Sequence, residues 1–339
     1  MLHTPLCDRL GITVPIFAAP TGLVGGAALA AAVSNAGGLG VMSFDGNPPP
    51  LLRAAIRRLR ALTDRPFGVN LLLNLATEEH VAVCLEERVP VVSFFWGDPA
   101  PWVERAHAAG AVVMHQVGSV ADAARAVAAG VDVVVAQGVE AGGHVAGTVA
   151  ASVLVPRVVD AIAPVPVVAA GGIADARGVV AALALGAEGA MLGTRFLATP
   201  EAVAHPRYKE MLLAAREDET VLTTLFGGGW PHAPHRALRT RFVEEWLPEE
   251  ARGSEQRPDE PVIGEAQFMG QTVPVTRFMA LPPNAEVRGD IEAMALLAGQ
   301  SVGLVHAITP AATLVRELVD DAARIVRERL VAAVGGLSG

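Results

Sequence analysis

Polar side chains that stand where an apolar run ends are the residues best placed to do chemistry in this sequence. Asn70 lies in the run 67–71, His115 and Gln116 close the run 111–115, and Gln137 closes 131–136, with Gly142-Gly143-His144 shortly beyond. A single amide at a strand end ordinarily satisfies loop backbone. Several at the same end of one array of strands point to a common place, and the histidine among them is the natural proton carrier near neutrality. Two glycine-rich turns offer a second chemistry: Ala169-Ala170-Gly171-Gly172-Ile173 and Met191-Leu192-Gly193-Thr194-Arg195. Glycine lets backbone approach a bound group, and turn amides supply donors without fixed positive charge, as a phosphate requires.

The elements that must position these groups alternate along the chain. Short β-branched runs at 14–19, 39–43, 67–71, 89–94, 111–115, 131–136, 165–169 and 189–192 are interleaved with segments of helical period at 27–36, 50–62, 100–109, 120–129 and 176–185. Strands without polar alternation are buried on both faces, as parallel strands are. Eight of them within about 200 residues favour an α/β TIM (β/α)8 barrel over a doubly wound sheet. The two glycine turns then follow strands seven and eight, where barrels commonly build a phosphate site. Gly22, Gly25 and Gly26 follow the first run without G-x-G-x-x-G spacing, so a monophosphate suits the chain better than a dinucleotide.

Beyond 196 the composition shifts. The stretch 199–288 is rich in Pro, Gly, Arg and Glu and holds Tyr208, Trp230 and Trp246, the two tryptophans being candidates to shape a pocket. An insertion leaving from strand eight starts at the active-site face of a barrel. The expected organisation is a barrel over 1–215, a smaller lid over 216–288, and C-terminal helices over 289–339 that return to the barrel. Within this, 248–261 reads as a solvated loop, and helix is expected at 290–304 and 311–334.

Composition narrows the function classes. The 339 residues are 52% hydrophobic and 18% charged, with formal net charge -9 and Lys209 as the only lysine. Nucleic acid is therefore not an expected partner. No apolar run approaches the ~18 residues of a membrane span, so a cytoplasmic protein without a membrane partner is expected. Cys7 and Cys84 lack metal or disulfide spacing and read as buried thiols. His232 and His235 sit in Pro-His-Ala-Pro-His, where the prolines deny a helical i, i+4 face, so no metal is expected.

Taken together, Phe67-Gly68-Val69-Asn70-Leu71, Val139-Glu140-Ala141-Gly142-Gly143-His144, Val168-Ala169-Ala170-Gly171-Gly172-Ile173-Ala174 and Gly193-Thr194-Arg195-Phe196 resemble the nitronate monooxygenase family. The FMN-dependent enoyl-thioester reductases and NADH:quinone reductases are its relatives. The resemblance runs from Pro15 to His205 and resumes over 289–304. It implies an FMN-bearing barrel in which Gly171, Gly172, Gly193 and Thr194 hold the ribityl phosphate and Asn70, Gln116 and Gln137 contact the flavin or its ribityl chain. Ala19, Gly142 and Gly143 join the cofactor-binding positions, Gln300 helps to close the site, and His144 faces the flavin ring. The implied activity is oxidation of alkyl nitronates, or nitroalkanes, by O2 to carbonyl compounds and nitrite. The alternative is NAD(P)H-dependent reduction of an enoyl thioester or quinone. Two positions depart from the pattern: Thr21 replaces a usual methionine, and Gln116 stands where quinone reductases of the group carry lysine. As a base His144 would take the α-proton of a neutral nitroalkane; as an imidazolium it would hold a nitronate anion.

Overall fold

The unalternated runs become a closed barrel. The computed structural model describes residues 2–43, 47–255, 257, 259–268 and 271–335. Strands β1 (Ile16–Ala18), β2 (Leu39–Ser43), β3 (Phe67–Leu72), β4 (Val91–Phe95), β5 (Val112–Val117), β6 (Val133–Gln137), β8 (Val167–Ala170) and β9 (Gly189–Leu192) pair in parallel in that order, and β9 closes on β1. β7 (Gly143–His144) lies outside the barrel, in the loop after β6. Helices α1 (Pro5–Leu10), α2 (Gly26–Asn35), α3 (Pro49–Leu62), α4 (Glu78–Glu86), α5 (Ala100–Ala108), α6 (Val120–Ala128), α7 (Ala151–Ile162) and α8 (Ala176–Ala184) precede or follow the strands. Of these, α1, α4 and α7 went unread in the sequence; α7 carries an internal Pro156 that masks its period.

The pleat decides which residues meet at the top. Phe17, Leu39, Val41, Val91, Met114, Val133, Val135, Val168 and Met191 form one apolar cluster inside the barrel, sealed by Leu6 and Leu10 of α1. Their alternates Val69, Val92, Val113, Val134 and Ala169 join the helices in a second cluster. Successive side chains point to opposite faces. Counting by two from the inner set leads to Ala19, Ser43, Gln116, Gln137 and Gly193 at the C-terminal rim, and alternation with the outward Val69 adds Asn70. His115, one residue off that count, points outward and is buried among the surrounding elements.

After α9 (Thr194–Leu197) the chain leaves the barrel for an excursion containing α10 (Pro206–Ala214), β10 (Thr220–Thr223), β11 (His235–Leu238), α11 (Arg241–Trp246), α12 (Glu250–Ser254), β12 (Val262–Phe268), β13 (Gln271–Thr276) and β14 (Arg288–Gly289). It forms two small sheets, β10-β11-β7 and β13-β12-β14. Small apolar cores hold it, one around Phe226, Val243 and Phe278 and one around Tyr208, Leu212, Leu296 and Val302. The chain returns through α13 (Ala311–Ile325), a π turn at Val326–Leu330 and α14 (Val331–Gly335), in agreement with the helix expected there.

Two expectations are corrected. Residues 290–304 are not a helix but two 3-10 turns, Ile291–Ala293 and Gln300–Leu304, joined by extended chain beside β11. Leu238 donates to the Leu296 carbonyl at 2.8 Å and Ala298 to that of Arg236 at 3.2 Å, so the apolar run there is read by strand partners rather than by its own period. Nor is 248–261 simply solvated loop, because α12 falls inside it and Glu260 is buried between Arg252 and Arg277; Gln256 and Pro258 lie outside the described residues. Among the described residues no helix is long and apolar enough to cross a membrane.

Candidate functional site

A cavity of about 500 Å3 opens at the C-terminal rim of the barrel. Ala19, Asn70, Gln116, Gln137, Gly142, Gly143, His144, Gly171, Gly172, Gly193 and Thr194 all line it. Gln300 does not: it is exposed at the start of a 3-10 turn, and Ser301 takes its place in the wall. Trp230 contributes to the wall, whereas Trp246 packs against Phe278 and under Arg277 elsewhere in the excursion. Among the described residues no charged side chain lines the cavity.

Its polar atoms are arranged for a ligand the chain does not itself supply. Thr21 Oγ1, Asn70 Oδ1, Gln137 Oε1 and His144 Nε2 are buried without a hydrogen-bond partner. Leaving one such group unsatisfied costs about 1–3 kcal/mol, so four in one cavity are a strong demand for complementary donors and acceptors. Gln137 is oriented by its own amide nitrogen, which donates to the His144 carbonyl at 3.0 Å. Next to Gln137, whose register partner is Ala170, Gly171 and Gly172 take φ values of +97° and +72°, a conformation that favours glycine. The amides of Gly172, Gly193 and Thr194 donate to no backbone carbonyl among the described residues. Together they form an uncharged donor cradle.

Gly142 has a different reason for its size. A Cβ there would lie 2.4 Å from the Gly299 amide nitrogen and 2.6 Å from the Ala298 carbonyl carbon. The returning chain thus packs directly on the loop that carries His144. It is pinned there by the Gly299 amide, which donates to Thr194 Oγ1 at 3.0 Å, and by Gln300 N donating to the Glu140 carbonyl at 3.0 Å.

His144 is held by the excursion rather than by the barrel. β7 pairs antiparallel with β11, with His144 opposite His235, and Val145 donates to the Pro234 carbonyl at 2.9 Å. Burial pushes the His144 pKa down to about 3, and the neighbouring His235 adds to the effect. His235 is itself driven to about 4 by burial; its Nδ1 bonds the Ala233 carbonyl at 2.9 Å and its Nε2 accepts from Phe226 N at 3.3 Å. That pair of bonds fixes His235 as a neutral imidazole with a structural role. Sequence reasoning missed Ser43 and Ser301 in the wall; inward parity from Leu39 and Val41 was available to find Ser43, while Ser301 depends on where the excursion returns.

The buried histidines make stability depend on acid. His115, His144 and His235 have pKa values of about 4, 3 and 4, all below the ~6.5 of an unfolded histidine. As pH falls below 6.5 the unfolded chain binds protons that the folded chain refuses. Stability is therefore complete above pH ~6.5 and declines towards pH ~4, at up to about 1.4 kcal/mol per pH unit for each ring. Urea midpoints measured from pH 7 to 5 are expected to fall steadily, and His115→Gln to flatten the slope by one proton; a midpoint constant over that range would show that these rings titrate normally.

The family model described as nitronate monooxygenase matches residues 3–80 and 74–321. A Pseudomonas aeruginosa protein named nitronate monooxygenase is 35% identical over 363 residues, covering 92% of this chain and 97% of its own. A Mycobacterium tuberculosis protein named (3aS,4S,5R,7aS)-5-hydroxy-7a-methyl-1-oxo-octahydro-1H-indene-4-carboxyl-CoA dehydrogenase is 42% identical over 246 residues, covering 72% of this chain and 68% of its own. The solved structure of FabK from Thermotoga maritima superposes with a TM-score of 0.81 at 36% identity, over 97% of this chain and 98% of that one.

Proposed function

Since this oxidoreductase belongs to the nitronate monooxygenase family, we propose that it binds FMN in the rim cavity and oxidises nitroalkanes or their nitronates with O2 to carbonyl compounds and nitrite. The observation that carries this reading is a half-buried, neutral imidazole with a buried, unpartnered Nε2 in a cavity without charged side chains. The residues suit the cofactor: the unpartnered Asn70 and Gln137 oxygens fit a heterocycle rich in donors and acceptors, and the Gly171-Gly172 and Gly193-Thr194 turns fit one phosphate. A flavin held there would supply the electron chemistry between substrate and O2. The chain supplies position and proton transfer. In its neutral form His144 offers a ring-nitrogen lone pair to the α-proton of a neutral nitroalkane. The imidazolium role is disfavoured, because the burial that lowers the pKa penalises the charged form that would hold a nitronate.

A second reading, redox chemistry on a CoA or other thioester with or without NAD(P)H, is favoured by the 42% identity to the Mycobacterium tuberculosis dehydrogenase. Against it, the described cavity wall offers no cation to a diphosphate. Purified protein is expected to be yellow and to release FMN on heating, identified by chromatography. Anaerobic mixing separates the readings: bleaching of the flavin band by propyl-2-nitronate but not by NADH supports nitronate oxidation. Bleaching by NADH or a thioester alone assigns the second chemistry, and a protein that holds no flavin sinks both.

A further inference from the structure

A general base is ordinarily aimed by a hydrogen bond to its second ring nitrogen, which fixes both the tautomer and the plane of the imidazole. His144 lacks that device: among the described residues neither of its ring nitrogens has a hydrogen-bond partner. What touches the ring instead is aromatic. The Trp230 ring lies on it with centroids 3.9 Å apart and planes 24° from parallel. Trp96 presents an edge to both members of the stack, at 5.3 Å and 73° to Trp230 and at 6.5 Å and 89° to His144. His235 meets the ring at 5.4 Å and 63°.

Both tryptophans are held by backbone that the rest of the fold constrains. Trp96 follows β4 at φ +55°, a conformation rarely adopted by a bulky side chain and one found where the surroundings over-determine it. Trp230 follows Gly229 at φ +91°, and its amide donates to the Gly227 carbonyl at 3.0 Å. The turn is stitched to the next segment by Gly228 N donating to the Phe278 carbonyl at 2.8 Å and Ala280 N to that of Gly228 at 2.9 Å. A rigid aromatic pair, one member from the barrel and one from the excursion, therefore meets at the imidazole.

From this we propose that Trp230, buttressed by Trp96, is the positioning residue of His144, its stacked indole doing the orienting that a hydrogen bond does elsewhere. The proposal rests on the reading of His144 as a base. It explains why the excursion supplies both β11, which pairs with the strand that carries the histidine, and the ring that covers it. Stacking also covers one face of the half-buried imidazole. His235 on β11 is the titratable group acting on it, and neither tryptophan brings a charge.

The test reads the ring directly in the flavin-loaded enzyme. Histidine NMR titration, with the His144 signal assigned by its loss in His144→Gln, is compared for wild type, Trp230→Phe and Trp230→Ala, alongside kcat and KM for a nitroalkane and for the preformed nitronate. Trp230→Ala is expected to raise the His144 pKa by about one unit or more as water reaches the ring. It should lower kcat on nitroalkane by about 10- to 100-fold through misplacement of the base, while nitronate oxidation, which needs no base, is spared. Trp230→Phe, which retains a stackable ring, should stay near wild type. An unshifted titration in Trp230→Ala, equal loss on both substrates, or a Trp230→Phe variant as impaired as Trp230→Ala each overturns the proposal. If the enzyme turns over neither substrate the proposed activity fails, whereas the titration still decides whether the indole governs the imidazole.

Discussion

Replacing His144 with alanine is expected to lower turnover of a neutral nitroalkane by about 10²- to 10⁴-fold, the usual worth of a positioned base, and to leave oxidation of the preformed nitronate within a few-fold of wild type. The asymmetry follows from what each substrate still needs. A nitroalkane must lose its α-proton before electrons can leave, whereas the nitronate has already lost it. Flavin content should be unaltered, since the cradle at Gly171, Gly172, Gly193 and Thr194 and the amides of Asn70 and Gln137 are untouched by the change. The pH profile gives an independent check. A base works in its neutral form, and burial holds the His144 pKa near 3. The wild-type kcat/KM for nitroalkane should therefore show no histidine limb between pH 5 and 8, falling only as pH drops towards ~4. Oxygen-electrode rates with the two substrate forms, for both enzymes, measure all of this. Equal loss on nitronate and nitroalkane would make His144 an anion-binding or structural group.

The barrel was legible because parallel strands buried on both faces leave unalternated apolar runs, and the eight runs read in the sequence are the eight strands that close. Most of the site was legible for the same reason. Inward parity along each strand carries Val133 and Val135 to Gln137 and Met114 to Gln116, and it would also have separated Gln116 from the outward His115. What escaped reading depends on contacts distant in sequence. The run 290–304 takes its conformation from β11, and Gly142 owes its lack of side chain to Ala298 and Gly299, more than a hundred residues away. The pairing of His144 with His235 is of this kind too: a two-residue strand has no periodicity, and only the folded excursion identifies its partner. The excursion thus lines part of the cavity and, through β11, pairs with the strand that carries the histidine.

The phosphate cradle is open to an equally large test, and the structure chooses the residue for it. Gly172 is a poor probe, since valine at φ +72° would strain the backbone and confuse loss of ligand with loss of fold. Gly193 sits at φ -104°, outside the left-handed region that favours glycine, and a Cβ added there would meet Ala19 Cβ at 3.5 Å and Thr21 Cγ2 at 3.9 Å, both ordinary contacts. The barrel should therefore accept Gly193→Val. The added side chain, however, would branch from a residue in the wall of the cavity, whose amide and that of Thr194 no backbone carbonyl uses. A phosphate needs those donors at hydrogen-bond distance and finds no cation in the described wall to compensate. Flavin content in purified Gly193→Val is expected to fall at least about tenfold, a loss of about 1.4 kcal/mol or more in binding, with the far-ultraviolet circular dichroism of wild type. Thermal unfolding reads the same loss in solution: added FMN should raise the midpoint of wild type, which binds it in the folded state alone, and leave the variant where it was. Full occupancy in a correctly folded Gly193→Val enzyme would put the phosphate elsewhere and remove the basis for a mononucleotide at this rim.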